Sequence, residues 1–477
     1  MGCSSVVGGV KYESNNGTWW AVGVEDGITD IVIPQYLDGA HLEPVGGVKT
    51  FAFWQSKIET AEINAPQIEP YAFMSSHDLK KVTLGSKVKH IQTVAFLDCI
   101  NLEILNISNG LTDIGEASFA STALNEIFIP QSVTSIGYIA FSDCKNLYSI
   151  KVASENIVYD SREDCNAIVE TATNTLHTGC NGTVIPNSVT AIGPVAFHMS
   201  GIESIYIHDK VTTIGGAAFS SCHELVDVYI GKSIKSIANN AFGGCPCAIF
   251  YFNAISCDDF DESETGDYPF GNSDITIGDS VQRIPAFFAC GNSNLSKFSI
   301  PNSVNTIGKK AFSGCLNLKE VVIGHSATQI QERAFSGCTR LKDVTLGRSV
   351  NEIQGWAFEG CRHINATSMN PTPPVCESKE VFPSNVYSSN ILYVPKGCYS
   401  RYMNDLPVWG SWTIIHEKDF SEFYSDVNSD GEVNIADINT VIDCILKGNQ
   451  ISTSDVNCDG EVNIADINVI IDCILKG

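Results

Sequence analysis

The sequence predicts a β-rich repeat solenoid with a small α-helical module at its C-terminal end. Three observations carry this prediction. An Ala-Phe pair recurs at nearly constant spacing through most of the chain. Short runs of period-two alternation, the signature of half-buried strands, accompany each pair. An acidic stretch near the end is duplicated almost letter for letter. The length agrees, since 477 residues exceed one ordinary core and call for several domains or an extended array. A composition 44% hydrophobic and 17% charged is that of a globular chain.

Residues 1–27, with Trp19-Trp20 and an alternating Val-Gly-Val, read as edge strands that cap the first repeat. The array then runs over 28–366. Ile127-Phe-Ile-Pro-Gln-Ser-Val-Thr-Ser-Ile-Gly-Tyr-Ile-Ala-Phe-Ser-Asp-Cys-Lys-Asn-Leu147 aligns with Phe298-Ser-Ile-Pro-Asn-Ser-Val-Asn-Thr-Ile-Gly-Lys-Lys-Ala-Phe-Ser-Gly-Cys-Leu-Asn-Leu318, and Val321 to Leu341 repeats the pattern. The marker phenylalanines are Phe53, Phe73, Phe96, Phe119 and Phe141, then Phe197, Phe219 and Phe242, then Phe312, Phe335 and Phe358, spaced 20 to 23 residues apart within each run. Phe287 or Phe288 marks a degenerate unit. Within one unit Ile129, Val133, Ile136, Ala140, Phe141, Cys144 and Leu147 are expected to point inward. No single unit can bury that face alone, so stacking supplies the core. The Pro after the first strand and the Gly after the second end them, and Ala-Phe-Ser-Gly-Cys makes the corner.

Eighteen cysteines would suggest disulfides in a short secreted chain. Here Cys99, Cys144, Cys222, Cys245, Cys290, Cys315, Cys338 and Cys361 fall at one corner position, which points to small buried apolar residues stacked between repeats. The rival is a metal or redox role, but no Cys-x-x-Cys pair of zinc spacing is present, and Cys245-Pro-Cys247 is a lone close pair.

This unit resembles the BspA-type leucine-rich repeat, Ile-Pro-x-Ser-Val-x-x-Ile-Gly-x-x-Ala-Phe-x-x-Cys-x-x-Leu, and the resemblance recurs some ten times. It implies a right-handed leucine-rich-repeat solenoid with parallel strands stacked between repeats. It also implies a surface or secreted bacterial protein whose repeats mediate adhesion or bind an unknown protein or glycan. Two inserts interrupt the array, at about 151–182 and 246–275. The first reads as a hairpin turning near Thr173-Asn174, with Cys165 and Cys180 facing as a reduced pair or as a disulfide. The second carries Asp258-Asp-Phe-Asp-Glu-Ser-Glu, a solvated acidic loop more readily than a ligand site. Asn370-Pro-Thr-Pro-Pro-Val ends the repeats, so 367–416 reads as the C-terminal cap, with a strand at Ile391–Cys398 and a short aromatic helix from Tyr399 to Trp412. Residues 417–425 read as a link.

The last segment, 426–477, contains two twelve-residue loops, Asp426 to Asp437 and Asp455 to Asp466, set 29 residues apart and each feeding a short helix. Such a loop offers side-chain oxygens at positions 1, 3, 5 and 12, a carbonyl at 7 and a side chain at 9 that often acts through water. In the first these are Asp426, Asn428, Asp430, Asp437, the carbonyl of Glu432, and Asn434. In the second they are Asp455, Asn457, Asp459, Asp466, the carbonyl of Glu461, and Asn463. Gly431 and Gly460 stand at position 6, where the chain turns sharply. Hard oxygen donors without His or Cys select calcium over zinc, one Ca2+ ion per loop and two in all. The bland alternative, a solvated Asp/Asn turn, does not account for two full loops in tandem.

Two departures from the EF-hand are visible. Position 12 is Asp, and no helix is read before either loop. A loop with only its exiting helix resembles a type I dockerin, which implies docking to a cohesin-like protein partner and an extracellular or cell-surface setting. Positions 10 and 11, which the resemblance assigns to partner contact, are Ile435-Ala436 and Ile464-Ala465 rather than the Ser-Thr pair of well-known clostridial dockerins. That leaves the partner open. In the exiting helices Ile438, Val441, Ile442, Ile445 and Leu446, and likewise Ile467, Ile470, Ile471, Ile474 and Leu475, are expected to pack on each other, with Gly448 ending the first helix and Cys444 and Cys473 near the seam.

The formal net charge of -25 argues against nucleic acid and anionic membranes as partners. No run of 18 apolar residues exists, so no transmembrane segment is expected. The start, Met-Gly-Cys-Ser-Ser-Val-Val, lacks the regions of a signal peptide. A non-catalytic binding and adhesion protein is the favoured reading. The alternative is a component of a polysaccharide-degrading complex, with O-glycosyl hydrolase activity or an accessory role. No nucleophile elbow or His-Glu-x-x-His is present to support catalysis.

Overall fold

The computed structural model of the chain describes residues 4–37, 43–246, 248–263, 268–405, 407–420, 425–428, 432–447, 454–456 and 461–476. It divides into two units, residues 1–249 and 250–477.

In the first unit, Ser4–Val7, Val10–Asn15 and Thr18–Val24 form an antiparallel meander, and the last of these strands pairs in parallel with Glu43–Val48. The repeats follow as two ladders. Four-residue strands at Asp30–Ile33, Thr60–Ile63, Lys81–Leu84 and Ile104–Ile107 pair in parallel, residue for residue one repeat on. Two-residue strands at Gln67–Ile68, His90–Ile91, Asp113–Ile114 and Ser135–Ile136 make the second ladder. Alternation decides burial: in Lys81–Leu84, Val82 and Leu84 are buried and Lys81 is exposed. All seven residues expected to point inward between Ile129 and Leu147 are buried.

The corner stacks the marker rings. Phe53, Phe73, Phe96, Phe119 and Phe141 lie at successive centroid distances of 4.8, 4.8, 5.2 and 5.8 Å, with near-parallel planes. The residue before each Ala-Phe pair is held at positive φ whatever its type, Val94 at 55° and Ile139 at 50° among them. Corner hydrogen bonds to the next repeat impose this conformation, as from Val94 N–H to the Glu116 carbonyl at 2.8 Å and from Phe96 N–H to the Ser118 carbonyl at 2.8 Å.

The first insert is the expected hairpin, Ala167–Glu170 against Thr175–Gly179, with the turn between Glu170 and Thr175. Its second strand joins the short ladder beside Ala191–Ile192. Gly179 is required there, because a Cβ on it would stand 2.1 Å from the Phe197 ring. Cys165 and Cys180 are both buried free thiols, and their sulfurs donate to the carbonyls of Ala167 and Asn166.

In the second unit, Lys297–Ile300, Glu320–Ile323, Asp343–Leu346, Asn365–Ser368, Ile391–Pro395 and Ile414–Lys418 form one parallel ladder. Arg283–Ile284 through Val375–Cys376 form the other. Phe312, Phe335, Phe358 and Phe382 stack at 5.2, 5.4 and 5.1 Å, so the ring column runs on into the cap.

Four expectations are corrected. In the degenerate unit the pair is inverted, with Phe288 at the Ala place and Ala289 at the Phe place, since Ala289 N–H bonds the Ala311 carbonyl and Cys315 bonds the Ala289 carbonyl. The corner cysteine position is therefore filled by Asn292, fully buried, whose amide donates to the Ser273 carbonyl at 2.8 Å; Cys290 sits two residues earlier. The stretch from Tyr399 to Trp412 is a helix only over Tyr399–Met403, followed by a 3-10 turn at Trp409–Ser411, because Pro407 interrupts it. The link read from 417 starts inside a strand that ends at Lys418, and Phe420 is buried. In the acidic insert the carboxylates are exposed and form surface ion pairs, Asp259 accepting from Arg283 at 2.5 Å and Glu262 pairing with Lys310.

Candidate functional site

The tail helices are Ile435–Lys447 and Ile464–Lys476. Each begins at an asparagine that caps it. The Asn434 side-chain oxygen accepts from Ala436 N–H at 2.8 Å, and that of Asn463 accepts from Ala465 N–H at 2.8 Å. Loop position 9 thus starts the helix, and position 12 falls in its first turn, where a carboxylate is favoured by the helix dipole.

Both position-12 carboxylates are fully buried. Asp437 closes its loop: Oδ1 accepts from Asn428 N–H at 3.0 Å and Oδ2 from Asn434 N–H at 2.9 Å. Asp466 Oδ2 accepts from Asn463 N–H at 2.8 Å, the same contact in the second copy. One carboxylate therefore ties loop positions 3 and 9 together. Asn434 Nδ2 also reaches Glu432 at 3.4 Å. A buried carboxylate is costly to desolvate unless paired, and an oxygen-rich loop wrapped on one is suited to a hard cation. Of the predicted oxygen set, Asp426, Asn428, Glu432, Asn434, Asp437, Asp455, Glu461, Asn463 and Asp466 are placed. Asp430, Asn457 and Asp459 lie outside the described residues, as do Gly431, Gly448 and Gly460. Among the described residues no three His, Cys, Asp or Glu side chains cluster.

The tail core corrects the expected helix faces. Val441 and Ile470 are fully buried, with Val427, Val456, Phe420 and Met369 around them. Ile442, Ile445 and Leu446 are exposed, and so are Ile471, Ile474 and Leu475. Five apolar positions span too wide an arc for a two-helix seam, so only its centre is covered. Ile435 and Ile464, at loop position 10, are 71% exposed, and Leu446 and Leu475 are 78% exposed. Ile435, Ile442 and Leu446 recur at i, i+7 and i+11, which lays one apolar stripe along the helix; Ile464, Ile471 and Leu475 lay an equal one. Ala436 and Ala465 are half-buried.

Sequence reasoning missed Ser425 and Ser454, each one residue before a loop and fully buried. Ser425 bonds Cys473 at 3.1 Å, and Ser454 bonds Cys444 at 3.1 Å, so the start of each half grips the helix of the other. It also missed Val427 and Val456 at position 2. The signal was available, because all four recur at the 29-residue offset.

In the repeats of the second unit, a cleft of about 440 Å3 opens on the outer face of the long ladder, lined by Ser299, Val322, Thr345, Thr367 and Lys418 among others. No helix among the described residues is long and apolar enough to cross a membrane.

Comparison with known proteins places these features. Residues 47–169, 174–263 and 264–375 match the BspA type leucine rich repeat region, in six copies. Residues 424–475 match the dockerin type I domain. Comparison with curated proteins gives no match. Among solved structures, a leucine-rich repeat protein from Bacteroides ovatus is 21% identical and superposes with a TM-score of 0.55, covering 87% of this chain and 100% of its own. A leucine-rich repeat protein from Eubacterium ventriosum, also 21% identical, covers 81% of this chain and 99% of its own with a TM-score of 0.41. The first of these is a likeness of fold.

Proposed function

The chain belongs to the BspA type leucine rich repeat family, and from that premise we propose a non-catalytic extracellular binding protein that is attached to a larger assembly through its tail. The repeats and the dockerin are both interaction modules, and neither is a catalytic type. The repeats offer a protein or glycan ligand their outer strand faces. The tail takes up two calcium ions and docks to a cohesin-like partner. In this reading Asp426, Asn428, Asp430, Asn434 and Asp437 hold one ion with the Glu432 carbonyl. Asp455, Asn457, Asp459, Asn463 and Asp466 hold the other with the Glu461 carbonyl. Calcium supplies positive charge to two buried carboxylates and so favours the closed loops.

The observation that carries the docking reading is the pair of equal apolar stripes on a small acidic module. A monomeric surface seldom leaves such residues in the open without a partner for them. Ile435, Ile442 and Leu446 make one contact face and Ile464, Ile471 and Leu475 its duplicate, with Ala436 and Ala465 at their margins. With apolar residues where a Ser-Thr pair would hydrogen-bond, the partner face must itself be apolar. Calorimetry of the full chain against cohesin modules, with calcium and with chelator, tests this. Binding is expected in calcium alone. Leu446→Asp or Leu475→Asp singly should leave one usable face, and the double substitution should abolish binding. Binding that survives the double substitution would sink the proposal.

A further inference from the structure

We propose that Arg348, a residue of the repeats, is a positioning residue for the first calcium loop. It follows the strand Asp343–Leu346 and is 6% exposed. Its Nη2 donates to the carbonyl of Asp426 at 2.7 Å and to that of Val427 at 3.4 Å. A guanidinium so deeply buried is costly to desolvate unless its N–H groups find acceptors. Two of the acceptors here are backbone carbonyls at loop positions 1 and 2.

The apolar contacts act on the same residues. Val427 is buried in a cluster that takes Met369 and Phe420 from before the tail and Val441, Val456 and Ile470 from within it. The third residue, Asn428, is held from the helix side by the Asp437 carboxylate. The first three loop residues are thus held in the closed loop from two directions by the protein itself. A contact made only in the closed loop favours that conformation over the open one, and the gain appears as affinity for the ion. The dockerin is then not an independent appendage. Its first loop is completed by a side chain from 78 residues upstream.

This inference rests on the calcium reading above, and its test separates the two. Calcium uptake is measured by calorimetry on the full chain in two backgrounds. Asp455→Ala leaves the first loop intact and Asp426→Ala leaves the second. Arg348→Gln is expected to weaken uptake on the order of ten-fold in the first background, the size of one charge-assisted hydrogen bond, and to change the second by less than about two-fold. A residue that merely stabilised the fold would weaken both loops alike. Arg348→Lys keeps the charge and a donor, and should recover part of the loss. It also carries the test if the glutamine variant disturbs the β-sheet circular dichroism of the repeats. Equal weakening in both backgrounds, or none in the first, overturns the assignment of Arg348 while leaving calcium binding in place. A wild-type chain that takes up no calcium overturns both.

Discussion

The corner cysteines are hydrogen-bond donors as well as fillers. Cys99 donates to the Phe73 carbonyl at 3.2 Å, Cys338 to that of Phe312 at 3.2 Å and Cys361 to that of Phe335 at 3.3 Å, each reaching one repeat back. In an early repeat Ser76 makes the same bond to Phe53 at 2.6 Å. The position therefore selects a small side chain with a donor; at Cys99 and Cys144 burial pushes the thiol up, to about 12 and about 11. Cys338→Ala should cost about 1–3 kcal/mol, because it opens a void and removes one of two hydrogen bonds to the buried Phe312 carbonyl, leaving only that from Cys315 N–H. Cys338→Ser keeps the donor and should cost less. Urea unfolding decides, and equal losses for the two variants would leave only the packing role. The packing half of this was readable from the sequence. The donor half was not, since the acceptor lies on the preceding repeat. The same blindness explains Cys290: spacing alone could not reveal that Phe287-Phe288-Ala289 inverts the marker pair and hands the corner to Asn292.

At the scale of elements, the stacked rings tie one repeat to the next. Phe335 lies between Phe312 and Phe358 at 5.2 and 5.4 Å, fully buried. Phe335→Ala removes two ring contacts and leaves a cavity that a ladder-bonded backbone cannot close. It should cost about 3–5 kcal/mol, and Phe335→Leu less; thermal unfolding of the two variants checks both. A loss under about 1 kcal/mol for the alanine variant would mean that the strand ladders alone hold adjacent repeats. The strands were legible because alternation maps directly onto burial, and the hairpin because turn residues bracket it. The continuation of the column to Phe382 was not, since Val381 replaces the alanine of the marker. The tail helices were legible as amphipathic, but sequence could not say how much of a wide apolar arc a single neighbouring helix covers. That remainder, Ile442 with Leu446 and Ile471 with Leu475, is where the docking proposal now rests. The predicted contact residues Ile435 and Ile464 lie on the same stripes.

Over the whole chain, cohesion is distributed differently in the repeats and in the tail. In the repeats each unit bonds only its neighbours, so a disturbance at one end should fade within about a repeat. The tail has a core of few residues, and its loops carry much of the segment's negative charge, eight Asp and two Glu against two Lys over 426–477. Without cations those carboxylates repel one another and two of them are buried, so calcium is expected to provide a large part of the tail's folding free energy. Removing calcium from the full chain should therefore abolish amide protection in Ile435–Lys447 and Ile464–Lys476 while leaving it unchanged in the strands beside Phe119 and Phe335. The strand Asn365–Ser368, next to Met369, should lose protection only in part, because Met369 and Arg348 give up their contacts with the tail while the ladder bonds to Asp343–Leu346 remain. Hydrogen exchange with and without chelator resolves these three regions in one experiment. Tail helices that stay protected after chelation would mean that the apolar core suffices without the ion. Loss of protection spreading to Phe335 would mean that the repeats transmit what happens at the calcium loops, against the nearest-neighbour coupling expected of an array.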